Sequence, residues 1–401
     1  MDLTSVDPYW RLKNGLPASY PTLKTRIDCD VLVVGGGISG ALMLDTLVRA
    51  GLSVVLVEKR DVGAGSTSAS TALLQYEIDT PLWKLKKLYG ARAGEQAYRA
   101  CAEAIDTIET RVQELDDDCG FSRRKSLYLA SETADVASLR KEFRARHDAG
   151  FRVDLWGQAD IEAKFMFSRP LGIWSHQAAQ VDPYRLVHAL VRHAVARGAR
   201  VFDRTSVASL ESDARGVVAL TEDGVKVRAA HVVVAAGYES LRFLRKKDLV
   251  RLHSSFALAS KPLEDFNGWY ERCLVWETAR PYTYMRTTAD GRAVVGGEDE
   301  PFRDPPRRDA LVTRKCARLS QTFADMFPQC DFEAAYAWAG TFGETRDGLP
   351  YIGAVPEHPR CYFVCGYGGN GTTYSAVAAD IVRDTILGRP HRYARVFAFD
   401  R

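Results

Sequence analysis

Apolar runs and apolar periods alternate along this chain. Val31–Val34 is a short unbroken apolar run, and Ser53–Val57 is a second one that ends at Glu58. Between them Leu42, Leu44, Leu47 and Val48 line a helix that Gly51 stops, so Asp30–Glu58 reads as strand, helix, strand. Ala97, Cys101, Ile105, Ile108, Val112 and Leu115 recur at helical spacing and predict an amphipathic helix over Ala93–Leu115, and Ser131–His147 predicts another. Asp182-Pro183 opens a third by cap and first-turn rules, and Gly198 closes it. Val207–Leu220, Val225–Arg228 and His231–Ala236 read as strands of a small antiparallel meander ending on Gly237. Tyr282–Arg286 and Ala293–Gly297 flank the turn signal Asp290-Gly291, a hairpin. Arg308–Phe327 is helical, and Cys361–Cys365 is a strand feeding a glycine cluster and a helix through Asp384. Met1–Thr25 has three prolines and no period, the mark of an arm laid over the body. Strands alternating with helices predict an α/β class.

The turns of this pattern carry the chemistry. Gly35, Gly37 and Gly40 give G-x-G-x-x-G between a strand and a helix, the context a dinucleotide fingerprint requires. Gly35 permits the tight turn, Gly37 lets backbone amides approach a pyrophosphate, and Gly40 lets helix and strand pack closely. Ile38 and Ser39 open the helix, whose positive end faces the phosphates. Glu58 stands where both ribose hydroxyls can be bound, with Lys59 beside it, and its charge opposes a ribose 2′-phosphate. Taken alone, this unit suits NAD as well as FAD. The small-residue loop from Gly63, with Ser66, Thr67, Ser68 and Thr71, either touches phosphates and a ring system or is a plain loop and helix cap. A second cluster follows Trp338-Ala339-Gly340: first Asp347-Gly348-Leu349-Pro350-Tyr351-Ile352-Gly353, then Gly366, Gly368, Gly369, Asn370, Gly371 and Thr372 opening the last helix. Four glycines in six residues before a helix make another cradle of backbone donors.

With 401 residues and 46% hydrophobic content, the chain is expected to bury a large core and form two domains. Its net charge of +3, from 54 basic and 51 acidic residues, gives no electrostatic argument for a nucleic-acid partner. The densest basic patch, Arg245-Lys246-Lys247, reads as a solvated loop. No signal peptide is expected, and no apolar run approaches the roughly 20 residues that cross a bilayer. Eight cysteines without a C-x-x-C pair are expected as buried free thiols, which suits a reducing cytoplasm. His188 and His193 lie five apart on one helix, off a common face, so no metal site is expected.

GGGISG near the start, VVVAAG, Tyr-x-Arg before the DGR turn, DGLPYIG and GYGGNG together resemble the D-amino-acid oxidase family of FAD-dependent oxidoreductases, which takes in the glycine, sarcosine and γ-glutamylputrescine oxidases. The resemblance covers nearly the whole chain. It implies a Rossmann-like FAD/NAD(P)-binding domain with a second, mixed-sheet substrate domain over the flavin. The expected division is residues 1–80, 170–237 and 338–401 for FAD, and 81–169 and 238–337 for substrate. By the same resemblance Gly35, Gly37 and Gly40 hold the pyrophosphate and Glu58 the adenosine ribose. Ser66 to Thr71 sit near the flavin and phosphates, Val207 approaches the adenine, Gly237 the dinucleotide, and Gly366 to Thr372 the isoalloxazine rim. The implied reaction moves a hydride from an amine-bearing carbon to flavin N5, and the imine then hydrolyses. No cysteine matches a covalent attachment, so FAD is expected to be held non-covalently.

Two departures bear on substrate and oxidant. Amino-acid oxidases of the family place an arginine shortly after W-x-G, where this chain has Phe342 or its neighbour. Arg286 remains as a carboxylate clamp or as a cross-strand ion pair, with Arg346 a weaker candidate. Tyr282 and Tyr284, on the face of Arg286, either cap the substrate or pack against the domain. Sarcosine oxidases carry a lysine in the strand after the hairpin, and this chain reads Ala293-Val294-Val295-Gly296. The acceptor is therefore oxygen or a quinone-type compound. Rival readings are an oxidase of tRNA aminomethyl-uridine and a flavin-binding scaffold without turnover.

Overall fold

The computed structural model describes residues 2–5, 7–246 and 248–401, so Lys247 of the basic triplet lies outside the described residues. Its first sheet has eight strands. The parallel core runs His358–Cys365, Lys226–Val234, Ile27–Val34, Val54–Val57, Arg200–Phe202. Val31–Val34 and Val54–Val57 are buried at every position, as strands covered on both faces must be. One face packs the helices Ile38–Arg49, Ala91–Gln113, Pro183–Ala196 and Gly371–Ile386 through Leu44, Ile105, Leu190 and Ile381. The other face packs Val55 and Val232 against Val207 and Val217 of the antiparallel meander.

The meander differs from the sequence expectation in its breaks. Val207–Ser212 and Val217–Thr221 are separate strands, whereas Lys226–Val234 is one. Its first half pairs antiparallel with Val217–Leu220 and its length pairs parallel with Ile27–Val34. Asp182 caps the helix Pro183–Ala196 by accepting from the amides of Tyr184 and Arg185.

The second sheet has nine strands in the order Ala334–Glu344, Arg251–Ser260, Ala293–Glu300, Tyr284–Thr287, Leu274–Glu277, Ser122–Leu129, Leu171–Gln180, Leu73–Gln75, with Val153–Gly157 on Leu171–Gln180. It is antiparallel except where Leu274–Glu277 meets Ser122–Leu129. The hairpin about Asp290-Gly291 pairs Tyr284 with Gly296 and Arg286 with Val294. The helix Pro305–Met326 closes the outer face through Leu319 and Phe323 against Phe256, Leu258 and Val295.

The expected division by residue ranges departs from these pairings. Leu73–Gln75, Leu171–Gln180 and all of Ala334–Glu344 hydrogen-bond inside the second sheet, while Ala91–Gln113 packs with the helices of the first. Strand partners are set by contacts distant in sequence, which composition does not show. The N-terminal arm forms the short helix Tyr9–Asn14, with Tyr9 and Trp10 buried. The Trp10 indole donates to Ser70 O at 2.7 Å and the Tyr9 hydroxyl to Asp290 at 2.8 Å. Before the helix, Ser5 N donates to Ala339 O and Thr341 N to Leu3 O, extending the second sheet by a bridge of Thr4 to Gly340. No helix among the described residues is long and apolar enough to cross a membrane.

Candidate active site

One long cleft lies between the sheets, and the two glycine clusters and the hairpin meet in its walls. At its first end the chain leaves Val34 into the turn Gly35–Gly37. Gly35 has φ +112°, and a Cβ there would lie 2.5 Å from Ala235 O. A Cβ on Gly40 would lie 1.8 Å from Gly35 O. Gly40 therefore sits behind the wall and brings the helix onto the turn, while Gly35, Gly37, Ile38 and Ser39 face the cleft. Gly37, the N-cap of that helix, provides no side-chain cap bond, and Ile38 N donates to Thr67 Oγ1 at 2.9 Å. Asn370 likewise leaves the helix Gly371–Ile386 without a side-chain cap bond, and Gly371 and Thr372 line the cleft. Two helix N-termini thus open onto one cavity, a setting for the charge of a pyrophosphate or a flavin ring.

Glu58 ends its strand with both carboxylate oxygens on backbone: Oε2 accepts from Gly36 N at 2.6 Å and Oε1 from Arg60 N at 2.8 Å. Burial raises its pKa, against the two amide bonds that lower it. Each oxygen keeps lone pairs for a ribose hydroxyl. Lys59, bonded to Glu239 at 2.8 Å, Val207 and Gly237 line the same end. In the small-residue loop Ser66, Thr67 and Thr71 line the cleft, while Ser68 turns inward and donates to Gly65 O at 2.9 Å. Gly340, Gly366, Gly368, Gly369 and Asn370 form the far wall. The Asn370 amide ties that wall to the second sheet, donating to Glu77 O at 2.7 Å and Gln75 O at 3.2 Å.

Above this wall Tyr282 and Tyr284 project from the hairpin into the cleft with ring centroids 5.5 Å apart. Burial raises both phenols, that of Tyr284 to about 12. Arg286, on the same alternating face, is not brought to the cleft. Its Nη1 donates to Ala72 O at 2.6 Å and Val181 O at 2.8 Å, its Nε to Thr287 O at 3.1 Å, and its guanidinium lies 5.3 Å from the Trp10 ring centre. In place of either a carboxylate clamp or a cross-strand ion pair, three backbone carbonyls accept from its Nε and Nη1. Arg346 is exposed and outside the lining. Phe342, at the position where the resemblance expects an arginine, does line the cleft. Val294 is 1% exposed, packed with Tyr9, Trp10 and Trp338.

Two acids at this end escaped the sequence reading. Asp79 accepts from the Tyr282 hydroxyl and from Gly369 N, each at 3.2 Å. Asp299, near the end of the hairpin's return strand, has Oδ1 buried without a hydrogen-bond partner. Asp79 lies in a loop without a motif, and Asp299 stands beyond the G-G pair where alternation stops being informative. No cysteine is among the described residues lining the cleft, and all eight are free. Of the two histidines, His193 bonds Asp45 at 2.6 Å and His188 is buried.

The profile described as FAD dependent oxidoreductase, DAO, matches residues 30–385. The chain belongs to that family. Glycine oxidase of Bacillus licheniformis is 28% identical to this family member over 92% of this chain and 96% of its own length. Gamma-glutamylputrescine oxidoreductase of Escherichia coli K12 is 24% identical over 94% of this chain and 88% of its own. The structure of L-proline dehydrogenase from P. horikoshii superposes with a TM-score of 0.76 and 17% identity, covering 95% of this chain and 97% of that one, a likeness of fold. The cofactor of this DAO family member is FAD. The cleft fits it: two uncapped helix starts, a turn without room for side chains at Gly35 and Gly40, and the Glu58 carboxylate anchored by two backbone amides beside that turn.

Proposed function

We propose that this DAO family oxidoreductase oxidises the amine-bearing carbon of a small amine or amino acid. The carrying observation is the junction, in one cleft, of the Gly35–Gly40 turn with the Gly366–Thr372 cradle under the tyrosines of the second sheet. Gly37 and the amides of the first helix would hold the pyrophosphate, Glu58 the ribose, Val207 the adenine side, and the Gly366–Thr372 segment the ring rim. Bound there, FAD supplies the two-electron acceptor that turns an amine-bearing carbon into an imine carbon. The protein's part is orientation and exclusion of water. Tyr282 and Tyr284 roof the site, Asp79 fixes the Tyr282 hydroxyl and the Gly369 amide together, and Trp276 and Phe342 give apolar walls. The amine nitrogen gives up one proton, and water then splits the released imine into a carbonyl compound and the freed amine.

Oxygen or a quinone-type acceptor takes the electrons in this reading. The buried Val294, where sarcosine oxidases are expected to carry lysine, supports including the second. The eight free thiols support a reducing, cytoplasmic setting. Anaerobic mixing of the yellow holoenzyme with a panel of amines, N-methyl amino acids and D- and L-amino acids should bleach the flavin with at least one. Admission of air, or of a soluble quinone, then identifies the acceptor. A flavin that no panel member bleaches, or bleaching confined to an aminomethyl-uridine RNA, overturns this function.

A further inference from the structure

The charges in the cleft are segregated. Its described lysine and arginine residues, Lys59, Arg60 and Arg242, line the end with Glu58 and Glu239. The end roofed by the hairpin has Asp79 and Asp299 in its lining, beside Glu77, which is paired with Arg146, and no lysine, arginine or histidine is among its described lining residues. Arg286, outside the lining, gives its Nε and Nη1 to three carbonyls. Four rings, Trp276, Tyr282, Tyr284 and Phe342, line the same cleft as the two carboxylates, and the Tyr282 hydroxyl bonds Asp79 directly.

Two independent observations show that this is more than an acidic cluster. Asp299 Oδ1 is buried without a hydrogen-bond partner, and no basic side chain among the described residues forms an ion pair with it as Arg146 does with Glu77. The Asp79 carboxylate is held from two elements, the hairpin through Tyr282 and the glycine cradle through Gly369. A carboxylate with one buried oxygen unsatisfied, in a cleft lined by rings, is the complement of an ammonium group, which rings attract within about 6 Å of their centres. An α-carboxylate at the same place would meet two like charges, with Arg280 the cation facing Asp299 from the hairpin side.

We propose that Asp79 and Asp299, with the four rings, form a cation subsite, and that the substrate is an aliphatic amine carrying a second, protonated nitrogen away from the carbon oxidised, a diamine or polyamine. The inference rests on the amine-oxidising reading above and narrows its substrate class. The reacting nitrogen binds neutral, and the distal ammonium stays protonated and places the chain.

Asp299 also makes the subsite respond to pH. Burial, and then the Asp79 charge, raise its pKa to about 6 against Ser255, which lowers it. The charged and titratable groups facing it are Asp79 from the loop after Leu73–Gln75, Tyr282, Tyr284 and Arg280 from the hairpin side, and Glu344 from the edge strand. Below about pH 6 Asp299 is neutral and the subsite loses one of its charges. Cation affinity therefore rises as pH rises through that value.

The experiment uses the FAD-loaded full chain. Anaerobic flavin bleaching is compared for 1,4-diaminobutane, spermidine, butylamine, glycine and L-proline. The proposal expects the diamines to exceed butylamine by roughly tenfold or more in kcat/KM, a difference of one ordinary charge contact, and the amino acids to fall below both. A preference for glycine or proline overturns the cation subsite while leaving amine oxidation standing. A panel that never bleaches the flavin overturns the broader reading instead. A second readout needs no turnover: the bis-quaternary 1,4-bis(trimethylammonio)butane should perturb the flavin spectrum and bind more tightly as pH rises from 5 to 7, its own charge being fixed. In Asp299→Asn that pH dependence should vanish and the diamine-to-butylamine ratio should collapse toward one. Retention of both by a folded, FAD-loaded Asp299→Asn overturns the assignment. Asp79→Asn, which keeps the hydrogen-bonding shape, should weaken the dication in the same direction.

Discussion

Gly40 has no space for even a methyl group, because its Cβ would lie 1.8 Å from Gly35 O. Gly40→Ala must part the helix from the turn Gly35–Gly37, where we propose that the pyrophosphate binds. We expect a protein purified with a markedly lower ratio of flavin to protein absorbance and a lower Tm. Arg286 makes the opposite demand, since its value lies in what it satisfies. Arg286→Leu strips the donor from Ala72 O, Val181 O and Thr287 O, at about 1–3 kcal/mol for each buried acceptor left unmet. The loss should appear in urea unfolding, and KM for the folded fraction should stay put. Such residues mark the limit of reading a site from sequence. The turn at Gly35, Gly37 and Gly40 and the strand ending at Glu58 were legible because a tight turn packed under a helix demands those residue types at fixed spacing. Arg286 was not, because alternation reports which face a side chain takes and is silent on the carbonyls waiting there. Asp79 and Asp299 gave no signal, since their meaning arises only when a loop and a strand about 220 residues apart close over one cavity.

The turn Asp347–Pro350 before the strand Tyr351–Val355 is held from outside its own element. Arg401 donates Nε to Asp347 Oδ2 at 2.8 Å and Nη2 to Oδ1 at 3.0 Å, and the Tyr89 hydroxyl adds a bond at 2.8 Å. Burial alone would raise the Asp347 pKa, but the Arg401 bonds and charge outweigh it and hold the carboxyl below its ordinary value. A carboxyl depressed in the folded state stabilises the fold above its unfolded-state pKa, and that contribution disappears as pH falls through the depressed value. Arg401→Leu should therefore raise the pH at which acid unfolds the protein, followed by circular dichroism. The hairpin and the long helices were readable at this scale because their periods are local. The helix read from Arg308 begins at Pro305, where Asp304 caps it. The strand Lys226–Val234 was read as two, because its first half is covered on one side only and the rest on both. Its exposure alternates up to Ala229 and then becomes continuous burial from Val232, so one strand carries two sequence signatures.

The whole molecule is two sheets closed on a shared cleft, with an arm across the seam. Trp10 and Trp338 send their indole N–H groups to neighbouring carbonyls, Ser70 O at 2.7 Å and Ala69 O at 2.9 Å, pinning the small-residue loop between arm and second sheet. Trp10→Ala should cost about 3–5 kcal/mol, the range for emptying a buried aromatic site, and should lower Tm more in the apo form, which lacks the ligand's linkage. The class and the two-sheet plan could be read from the chain, since both glycine clusters stand at strand ends. The allotment of Leu171–Gln180 to the second sheet could not, because an apolar strand pairs equally well with either partner until the tertiary fold decides. The arm has one further consequence. Leu3 is part of the cleft wall, and the backbone bonds between Leu3, Ser5, Ala339 and Thr341 hold it there. A flavin departing past that wall has to wait for this short edge to unzip. Its off-rate and the amide hydrogen exchange of Thr341 should then accelerate in parallel as urea is raised below the unfolding transition, both reporting one local opening.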